Sequence, residues 1–389
     1  MSMLKDSSPM KMKRQSILFC MRYPDDQGFV WRTVSRLRDM VAGNLGEFDC
    51  YIAFPELTGR SVHQFEHLKP IELDGYTLAA RDKEKLSHFA QEQKLAAIVY
   101  MSAMPSTLDM AFLKSLKVAT ITTENDSFDH TQRNSLVKKA AKFILRRILH
   151  RQIHDLHIAN AVKQGEWLAS FAQIPKDRIV VAPNGIDCTR FIPAGDTSAP
   201  RLDPALRWVI CVSQARPEKR VDMIIRTAAR IMKQEQFSDV AFAYVGDGAM
   251  APAWKQLAAD LHISDRFHFV GQQQDLLPYY QAATLMVHAA KRESFGLVLA
   301  EAMACELPVV ACAAAGPMEI IDNGVTGTLV GLNDEDGFQA AVEFYLQEPT
   351  IAMQHGKAGR ERAEQRFSIH RQARDIANAI RQVVNKDRD

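Results

Sequence analysis

Two glutamates with seven residues between them, Glu293 and Glu301, are the residues whose types and spacing point most directly to chemistry. The mostly apolar run 297–304 predicts a buried helix, and Ser294-Phe295-Gly296 predicts the loop that leads into it. A helix start suits a phosphate because it offers unpaired backbone N–H groups and the positive end of a dipole. The two carboxylates can then accept hydrogen bonds from hydroxyls on either side of that phosphate. A sugar–diphosphate–ribose ligand has this order of parts; the alternative is two ordinary glutamates, one capping the helix and one on its face.

Arg216 and Lys219 bring positive charge to a second predicted strand end. They follow the strand pattern 208–212 and precede a helical pattern, so both are expected at the carboxyl edge of a parallel sheet, where open α/β sheets bind ligands. Fixed cations that stabilise a departing phosphate more strongly in the transition state than in the ground state accelerate the step. The alternative is a surface arginine and lysine at a helix start, a position that the helix dipole makes unfavourable for cations.

These residues belong to a longer series of short motifs in the second half of the chain. The series is VAPNGID at 181–187, SQARPEKR at 213–220, YVGDG at 244–248, VGQ at 270–272, the block 293–301, and GPMEIIDNGVTG at 316–327. Its order and spacing resemble those of the retaining glycosyltransferases with two Rossmann-like domains, the GT-B fold, and in particular glycosyltransferase family 4 (glycosyltransferase group 1). The resemblance covers roughly residues 180–330 and is thinner before them.

The resemblance implies roles for individual residues. It places Arg216 and Lys219 on the diphosphate, and it implies that Glu293 binds hydroxyls of the donor sugar and Glu301 the ribose diol. Arg216, Lys219 and Glu293 are therefore the predicted catalytic residues. The donor site would be completed by backbone N–H groups of Phe295, Gly296 and Leu297.

The base is expected beside the segment 270–274, which resembles the family's nucleobase loop and makes Gln272 a donor-binding candidate. Backbone groups read the ring edge in that loop, so uridine and guanosine both stay open, and we favour a UDP-sugar. In the first half, the family's glycine-rich loop after strand one is represented only by Gly28, where a missing side chain lets the backbone approach the phosphate. An ordinary glycine at a helix start is the alternative for that position.

The acceptor side departs from the family pattern. Many members carry a histidine after a strand in the middle of the first domain, whereas this chain has Glu124 and Asp126 there, with His130 further on. Either Glu124 or Asp126 takes the place of that histidine, or His130 reaches in from the loop. A carboxylate under the anomeric carbon would permit a double displacement; otherwise a front-face route without a protein nucleophile is expected.

The amino-terminal half carries the excess positive charge. Residues 1–195 hold 27 Lys and Arg against 21 Asp and Glu, a net charge of +6, and the remainder has a net charge of −4. A helix is predicted at 131–153, with apolar residues at helical spacing and a basic face. Such a helix can bind an anionic membrane; the alternative is a helix packed on the domain with its basic face in solvent. The membrane-surface candidates are Lys138, Lys139, Lys142, Arg146 and Arg147.

Length and composition predict a soluble protein with two cores. A chain of 389 residues is long enough for both cores, and no apolar run approaches the length that a membrane-spanning helix requires. The apolar run 16–20 is too short for a signal-peptide core. The six cysteines show no metal-ligand spacing, which indicates thiols in a reducing compartment. We therefore expect a cytoplasmic protein, at the inner face of the cytoplasmic membrane if the basic helix binds lipid.

Short apolar runs alternate with helical patterns along the chain, which is typical of parallel sheets covered by helices. The predicted fold class is α/β, with two Rossmann-like domains (GT-B) and the nucleotide-sugar site in the cleft between them. The expected domains are 1–195, which binds the acceptor, and 196–369, which binds the nucleotide-sugar, with a linker at 193–200. In the resembled fold, the terminal segment 370–389 is a helix that packs back onto the first domain.

The sequence thus predicts a retaining hexosyltransferase that uses a nucleotide-sugar as substrate and needs neither metal nor cofactor. The expected acceptor is a hydroxyl of a glycan or lipid-linked glycan in cell-surface polysaccharide or lipopolysaccharide biosynthesis, with peripheral contact to anionic membrane and none to nucleic acid. The alternatives are a non-catalytic nucleotide-sugar-binding scaffold, or an epimerase or phosphorylase on the same architecture. The intact set of Arg216, Lys219, Glu293 and Glu301 argues against a scaffold, because binding alone makes no demand on transition-state charge.

Overall fold

Two parallel β-sheets, each covered by helices, organise the chain. The computed structural model describes residues 14–26, 29–60, 63–102, 109–124, 144, 154–170, 172, 174–195 and 202–386. Within these residues, every pairing between named strands is parallel. Parallel neighbours need a crossover connection between them, which is why strands and helices alternate along the chain.

The first sheet is formed by the amino-terminal half of the chain. Its strands are β1 (Ser16–Cys20), β2 (Asp49–Phe54), β3 (Lys69–Glu72), β4 (Leu95–Met101), β5 (Ala119–Glu124), β6 (Leu156–Ala159) and β7 (Ile179–Val181). Their spatial order is β3-β2-β1-β4-β5-β6-β7. All five residues of β1 are buried, as expected for a central strand that is covered by helices on both faces.

The second sheet is formed by the carboxyl-terminal half. Its strands are β8 (Arg207–Val212), β9 (Val240–Val245), β10 (Phe267–Gly271), β11 (Leu285–His288), β12 (Val309–Cys312) and β13 (Thr328–Val330). Their spatial order is β10-β9-β8-β11-β12-β13. All six residues of β9 are buried, so this sheet is also covered on both faces.

Helices cover both sheets. Beside the first sheet lie α1 (Phe29–Gly43), α2 (Ala80–Glu92), α3 (Met110–Ser115) and α4 (Val162–Ser170). The later helices are α5 (Val221–Ile231), α6 (Ala251–Asp260), α7 (Leu277–Ala282), α8 (Leu297–Ala304), α9 (Ala315–Ile320), α10 (Glu335–Gln347), α11 (Pro349–Arg366) and α12 (Ile369–Lys386). Helix α5 shows how they pack: its apolar residues Val221, Ile224 and Ile225 share a core with Val209 and Phe242 of the sheet.

The strand order reverses once in each sheet, between β1 and β4 in the first and between β8 and β11 in the second. A crevice forms at such a point because the connections from the two neighbouring strands leave toward opposite faces, and open α/β sheets bind ligands there, outside the carboxyl ends of the strands. In the second sheet, β8 ends at Val212 and β11 ends at His288. The residues that follow these two ends include the predicted cations and Glu293.

The chain crosses between the two sheets at two places that are hydrogen-bonded to each other. The Ile186 N–H donates to the Phe367 carbonyl, and the Ile369 N–H donates to the Ile186 carbonyl. After this crossing, α12 packs against the first sheet and shares a core with Ile17 and Phe19 of β1. The core residues of α12 include Ala373, Ile376, Ala377 and Ile380.

The sequence pattern of the second half predicts strands near 207–212, 240–245, 267–270, 284–288, 307–311 and 328–330, and helices near 219–233, 250–261, 275–282, 296–304, 335–347 and 351–366. Each of them begins and ends within two residues of the observed element. The strands that the pattern predicts at 117–122 in the first half and at 307–311 in the second begin later, at Ala119 and Val309. In the first case Lys117 adopts a left-handed backbone conformation, with φ of 54°, and a strand cannot pass through that region of backbone space. In the second case the Leu307 N–H donates to the Ala302 carbonyl at 3.0 Å, so Leu307 still belongs to the turn that ends α8.

The sequence pattern predicts neither strand β3 nor helix α9. Strand β3 lies at the edge of its sheet, and its sequence Lys-Pro-Ile-Glu has no apolar run because its side chains are mostly exposed. Helix α9 contains Gly316 and Pro317, which are poor helix formers. The predicted helix at 131–153 lies outside the described residues, except for Ile144, which is helical and 55% exposed.

Candidate functional site

Lys219 and Glu293 meet where the strand order of the second sheet reverses, which we call its switch point. They lie beyond the ends of the neighbouring strands β8 and β11. The Lys219 ammonium donates to Glu293 Oε2 at 2.6 Å, and the two side chains are 19% and 14% exposed. A 3₁₀ turn at 217–219 presents Lys219. The Lys291 N–H donates to the Glu218 carbonyl at 2.9 Å and so ties the two loops together. The fold thus brings the predicted cation and the first glutamate into direct contact.

His288, the last residue of β11, is a third member of this cluster, and the sequence analysis did not single it out. Its Nε2 lies 3.2 Å from Glu293 Oε2, and its side chain is 2% exposed. Burial by itself raises the pKa of Glu293, but the hydrogen bond from His288 and the charge of Lys219 lower this pKa to about 2. Glu293 is therefore anionic throughout the physiological pH range. The sequence feature that could have indicated His288 is its place at the end of a strand pattern, five residues before Glu293.

Backbone contacts fix the loop between Glu293 and α8. The Gly316 N–H donates to the Glu293 carbonyl at 2.9 Å. Phe295 is buried against Phe367, with ring centroids 5.6 Å apart. Gly296 has a φ of 100°, a left-handed conformation in which a side chain is strained. The loop therefore has little freedom, and it holds the Glu293 backbone in one place.

Gly316→Ala tests how tightly this loop is packed. A Cβ on Gly316 would lie 2.2 Å from the carbonyl oxygen of Phe295, so either the loop or α9 has to move. We expect the free energy of unfolding, measured in urea, to fall by about 2–3 kcal/mol, as overpacking does. Gly331→Ala is the matched control, because the nearest atom to its added Cβ is 3.4 Å away. Equal stability of the two variants would contradict the packing described for the loop.

The start of α8 lies against the Glu293 side chain. A Cβ built on Gly296 would be 3.4 Å from Glu293 Cγ, which places that side chain beside the first turn of the helix. Leu297, the first helical residue, is 38% exposed. The N–H groups of a first helical turn have no partners within the helix. Of the predicted anion-binding residues, Leu297 thus opens the helix start to solvent next to the Lys219–Glu293 pair, whereas Phe295 and Gly296 before it are buried.

Glu301 lies on the second turn of α8 and is held by a buried tyrosine. The Tyr280 hydroxyl donates to Glu301 Oε2 at 2.9 Å, and Tyr280 is 1% exposed. Burial raises the pKa of Glu301 to about 7, although the hydrogen bond from Tyr280 and the charge of Arg190 act in the opposite direction. The two glutamates thus flank the helix start with opposite pKa shifts, because Glu293 has a cationic partner and Glu301 has a neutral one.

Glu301→Gln is expected to stabilise the unliganded protein at alkaline pH. Because folding raises the pKa of Glu301 to about 7, the folded protein keeps a proton that the unfolded chain loses above about pH 4.5. The wild type therefore loses stability as the pH rises from about 4.5 to about 7, by on the order of 3 kcal/mol, and the variant lacks this loss. Thermal unfolding at pH 5 and pH 8 measures it. A difference between the two proteins that is identical at both pH values would contradict the raised pKa.

Arg216 and Gln272 are exposed and lie on opposite sides of β9. The Arg216 carbonyl accepts a hydrogen bond from the Lys219 N–H at 3.0 Å, so one tight turn carries both predicted cations. Gln272 follows β10, two strands from β8. The nearby residue Asp275 pairs with Arg190 at 2.9 Å, which joins the predicted nucleobase loop to the segment that leads out of the first sheet.

Several predicted residues lie outside the described part of the chain. These are Gly28, Asp126, His130, Lys138, Lys139, Lys142, Arg146 and Arg147. Strand β5 ends at Glu124, which is in register with Ala159 of β6, and the Glu124 side chain is also outside the described residues. The acceptor-side and membrane-surface assignments therefore stay predictions. In the part of the chain that the structure describes, no helix combines the length and the apolar character needed to cross a membrane.

Comparison with known proteins finds a family model that matches part of the chain, together with a set of relatives. Residues 199–362 match the family model Glycosyl transferases group 1. The chain is 29% identical over 254 residues to lipopolysaccharide core biosynthesis mannosyltransferase LpcC of Rhizobium leguminosarum bv. viciae, across 64% of this chain and 68% of that protein. It is 35% identical over 206 residues to D-inositol 3-phosphate glycosyltransferase of Mycobacterium sp. (strain KMS), across 51% of this chain and 46% of that protein. The match thus spans about half the length of the second relative.

Solved structures share the fold over nearly the whole chain. Sucrose-phosphate synthase from Thermosynechococcus elongatus aligns with a TM-score of 0.74 at 19% identity, covering 96% of this chain and 100% of that one. HepE from Anabaena, in complex with UDP and glucose, aligns with a TM-score of 0.73 at 17% identity, covering 95% and 100%. The chain therefore has the two-domain α/β architecture of GT-B glycosyltransferases, and its residues 199–362 carry the sequence pattern of glycosyltransferase group 1.

Proposed function

We propose that the protein is a retaining glycosyltransferase that moves a sugar from a nucleoside diphosphate, with UDP favoured, to a hydroxyl of a glycan or lipid-linked glycan. The observation that carries this proposal is the cluster of Lys219, Glu293 and His288 at the switch point of the second sheet, beside the open start of α8. It combines a cation, a carboxylate and an anion-binding helix start in one place. The match of residues 199–362 to group 1 supports the same activity.

The donor fits the order of these groups. In this proposal the start of α8 receives the diphosphate, and Lys219 and Arg216 neutralise its charge. Lys219 and His288 both bind Oε2 of Glu293, so Oε1 accepts hydrogen bonds from hydroxyls of the donor sugar. Glu301 lies further along the same helix and binds the ribose diol. Protein cations thus neutralise the charge of the diphosphate, and no cofactor takes part.

The chemistry requires stabilisation of a departing phosphate. As the bond between the anomeric carbon and the phosphate oxygen breaks, negative charge grows on that oxygen, where Lys219, Arg216 and the helix start stabilise it. The acceptor hydroxyl attacks from the face that the phosphate is leaving, and the departing phosphate oxygen takes the hydroxyl proton. A new bond from the anomeric carbon to the acceptor oxygen forms on the same face. The configuration of the sugar is therefore kept, and no protein nucleophile takes part.

The proposed acceptor is a saccharide of the cell surface. The relative LpcC is named as a mannosyltransferase of lipopolysaccharide core biosynthesis, which supports a lipopolysaccharide or similar lipid-linked acceptor. The net charge of +6 over residues 1–195 supports the same class, because a basic surface is attracted to anionic lipid headgroups. We therefore propose that the acceptor is met at the inner face of the cytoplasmic membrane.

The stereochemistry of the product tests the proposed reaction. The protein is incubated with α-linked UDP- and GDP-sugars and deacylated lipopolysaccharide core oligosaccharide, and the new anomeric proton is followed by ¹H NMR. We expect an α-linked product from an α-linked donor. A β-linked product would contradict retention. Transfer that requires added inorganic phosphate would indicate a phosphorylase, and a changed donor sugar without transfer would indicate an epimerase.

A further inference from the structure

We propose that Tyr280 is a positioning residue for ribose recognition, because its hydroxyl orients the Glu301 carboxylate that distinguishes a ribonucleotide from a deoxyribonucleotide. This inference rests on the proposed function, in which Glu301 binds the ribose diol. Tyr280 lies on α7, directly after the predicted nucleobase loop, and its hydroxyl donates to Glu301 Oε2 at 2.9 Å. The residue therefore connects the base-binding side of the site to the ribose-binding carboxylate.

Packing alone gives no reason for a hydroxyl at position 280. The Tyr280 ring is 1% exposed and meets the Phe191 ring edge-on, with centroids 5.9 Å apart. A phenylalanine would keep these contacts. A buried hydroxyl costs free energy unless it is hydrogen-bonded, and here its partner is the Glu301 carboxylate. The hydroxyl is therefore explained by what it does to Glu301 and not by the fit of the ring.

The hydrogen bond holds one oxygen of Glu301 and leaves the other for a ligand. Tyr280 binds Oε2, so Oε1 is the oxygen available to a ribose hydroxyl. A free glutamate side chain loses rotamer entropy when it is fixed in one orientation. If the protein has already fixed that orientation, a diol can bind at a lower entropic cost. Loss of the Tyr280 hydroxyl should therefore weaken the ribose contact specifically, while other parts of the nucleotide bind as before.

The groups that face Glu301 allow the effect of orientation to be separated from the effect of charge. These groups are Tyr280, Arg190 and Cys305. Burial raises the pKa of Tyr280 well above its usual range and that of Cys305 to about 12, so neither ionises below pH 9. The pKa of Glu301 is about 7. At pH 9 Glu301 is therefore ionised, and a remaining effect of the tyrosine hydroxyl at that pH reflects orientation.

The test compares Tyr280→Phe with the wild type by isothermal titration calorimetry, using UDP and 2′-deoxy-UDP, or the guanosine pair if GDP binds more tightly. We expect the wild type to bind the ribonucleotide about tenfold more tightly, as one hydrogen bond to a charged group allows. In Tyr280→Phe this preference should fall to about twofold, at pH 7.5 and at pH 9 alike. Tyr279→Phe is the matched control on the same helix and should keep the wild-type preference, since the hydrogen bond to Glu301 comes from Tyr280.

Other outcomes would overturn the inference in ways that can be told apart. If Tyr280→Phe weakens the binding of UDP and of 2′-deoxy-UDP equally, the role of Tyr280 is merely structural. If the variant regains the preference for the ribonucleotide at pH 9, the hydroxyl acts through charge alone. If the wild type binds UDP and 2′-deoxy-UDP equally tightly, Glu301 does not contact the ribose. A wild type that binds no nucleotide would overturn the proposed function itself. Glu301→Asp, which draws the carboxylate away from the hydroxyl, is a second variant that should show the same loss of preference.

Discussion

Lys219→Ala is expected to lower kcat for sugar transfer by at least about 100-fold, the size of effect seen when one charge-stabilising donor is removed from an active site. The Lys219 ammonium lies beyond the carboxyl end of β8 and contacts Glu293 at 2.6 Å. In the proposed reaction it stabilises charge that develops only as the phosphate departs. The loss should therefore fall on kcat more than on KM. Steady-state kinetics with saturating acceptor and a varied donor concentration measures both constants.

Two further lysine variants make this test specific. Lys233→Ala removes a charge from an exposed residue beyond the end of α5, and its kinetics should match those of the wild type. Lys219→Arg keeps the charge but replaces a compact ammonium with a larger planar group, so it should recover only part of the activity. If Lys219→Ala and Lys233→Ala show the same kinetics, Lys219 has no part in the transfer step.

Glu293→Gln is expected to lower kcat/KM by about 10- to 100-fold, which corresponds to the 1.5–3 kcal/mol of a hydrogen bond to a charged group. The amide has nearly the same size as the carboxylate, so the loop 293–296 should keep its structure. Its oxygen is a weaker acceptor for the hydroxyls of the donor sugar. The substitution also removes the anionic partner of the half-buried Lys219 and the buried His288. If the variant and the wild type have the same kinetics, Glu293 does not bind the donor.

The same variant should change the acid stability of the protein. The pKa of Glu293 is lowered to about 2 in the folded state, so its contribution to stability is present above about pH 4.5 and is lost as the pH falls toward 2. The contribution is on the order of 3 kcal/mol, and Glu293→Gln lacks this pH dependence. Glu361→Gln, at an exposed position on α11, is the control. Acid unfolding curves of the wild type and Glu293→Gln that run in parallel would contradict the pairing with Lys219 and His288.

The residues that the sequence analysis placed best are those whose position follows from the strand pattern. All six residues of β9 and all but the first of β8 are buried, so both strands stand out as apolar runs. Because the carboxyl ends of parallel strands share one edge of a sheet, Lys219 and Glu293 could be expected at the same edge from their places after β8 and β11. The structure places them in hydrogen-bond contact.

The contacts that escaped the sequence analysis depend on how separate elements pack. Tyr280 and Glu301 lie on α7 and α8, and no local pattern indicates that these two helices bring a hydroxyl to a carboxylate. In the sequence, His288 is only the last residue of an apolar strand pattern. Its contact with Glu293 arises because the loop after β11 brings Glu293 back toward the end of that strand. The opposite pKa shifts of Glu293 and Glu301 could not be predicted from the sequence for the same reason. Both residues are glutamates, and their pKa values differ because their neighbours in the folded structure differ.

Release of nucleotide from a panel of UDP-, GDP- and ADP-sugars is the measurement that tests the central claim most directly. The wild type is compared with Lys219→Ala and Glu293→Gln in the absence of acceptor. We predict slow release from one donor by the wild type and its loss in both variants, which would identify the base and the sugar of the donor. Absence of both release and binding for every donor would contradict a nucleotide-sugar site at the switch point of the second sheet.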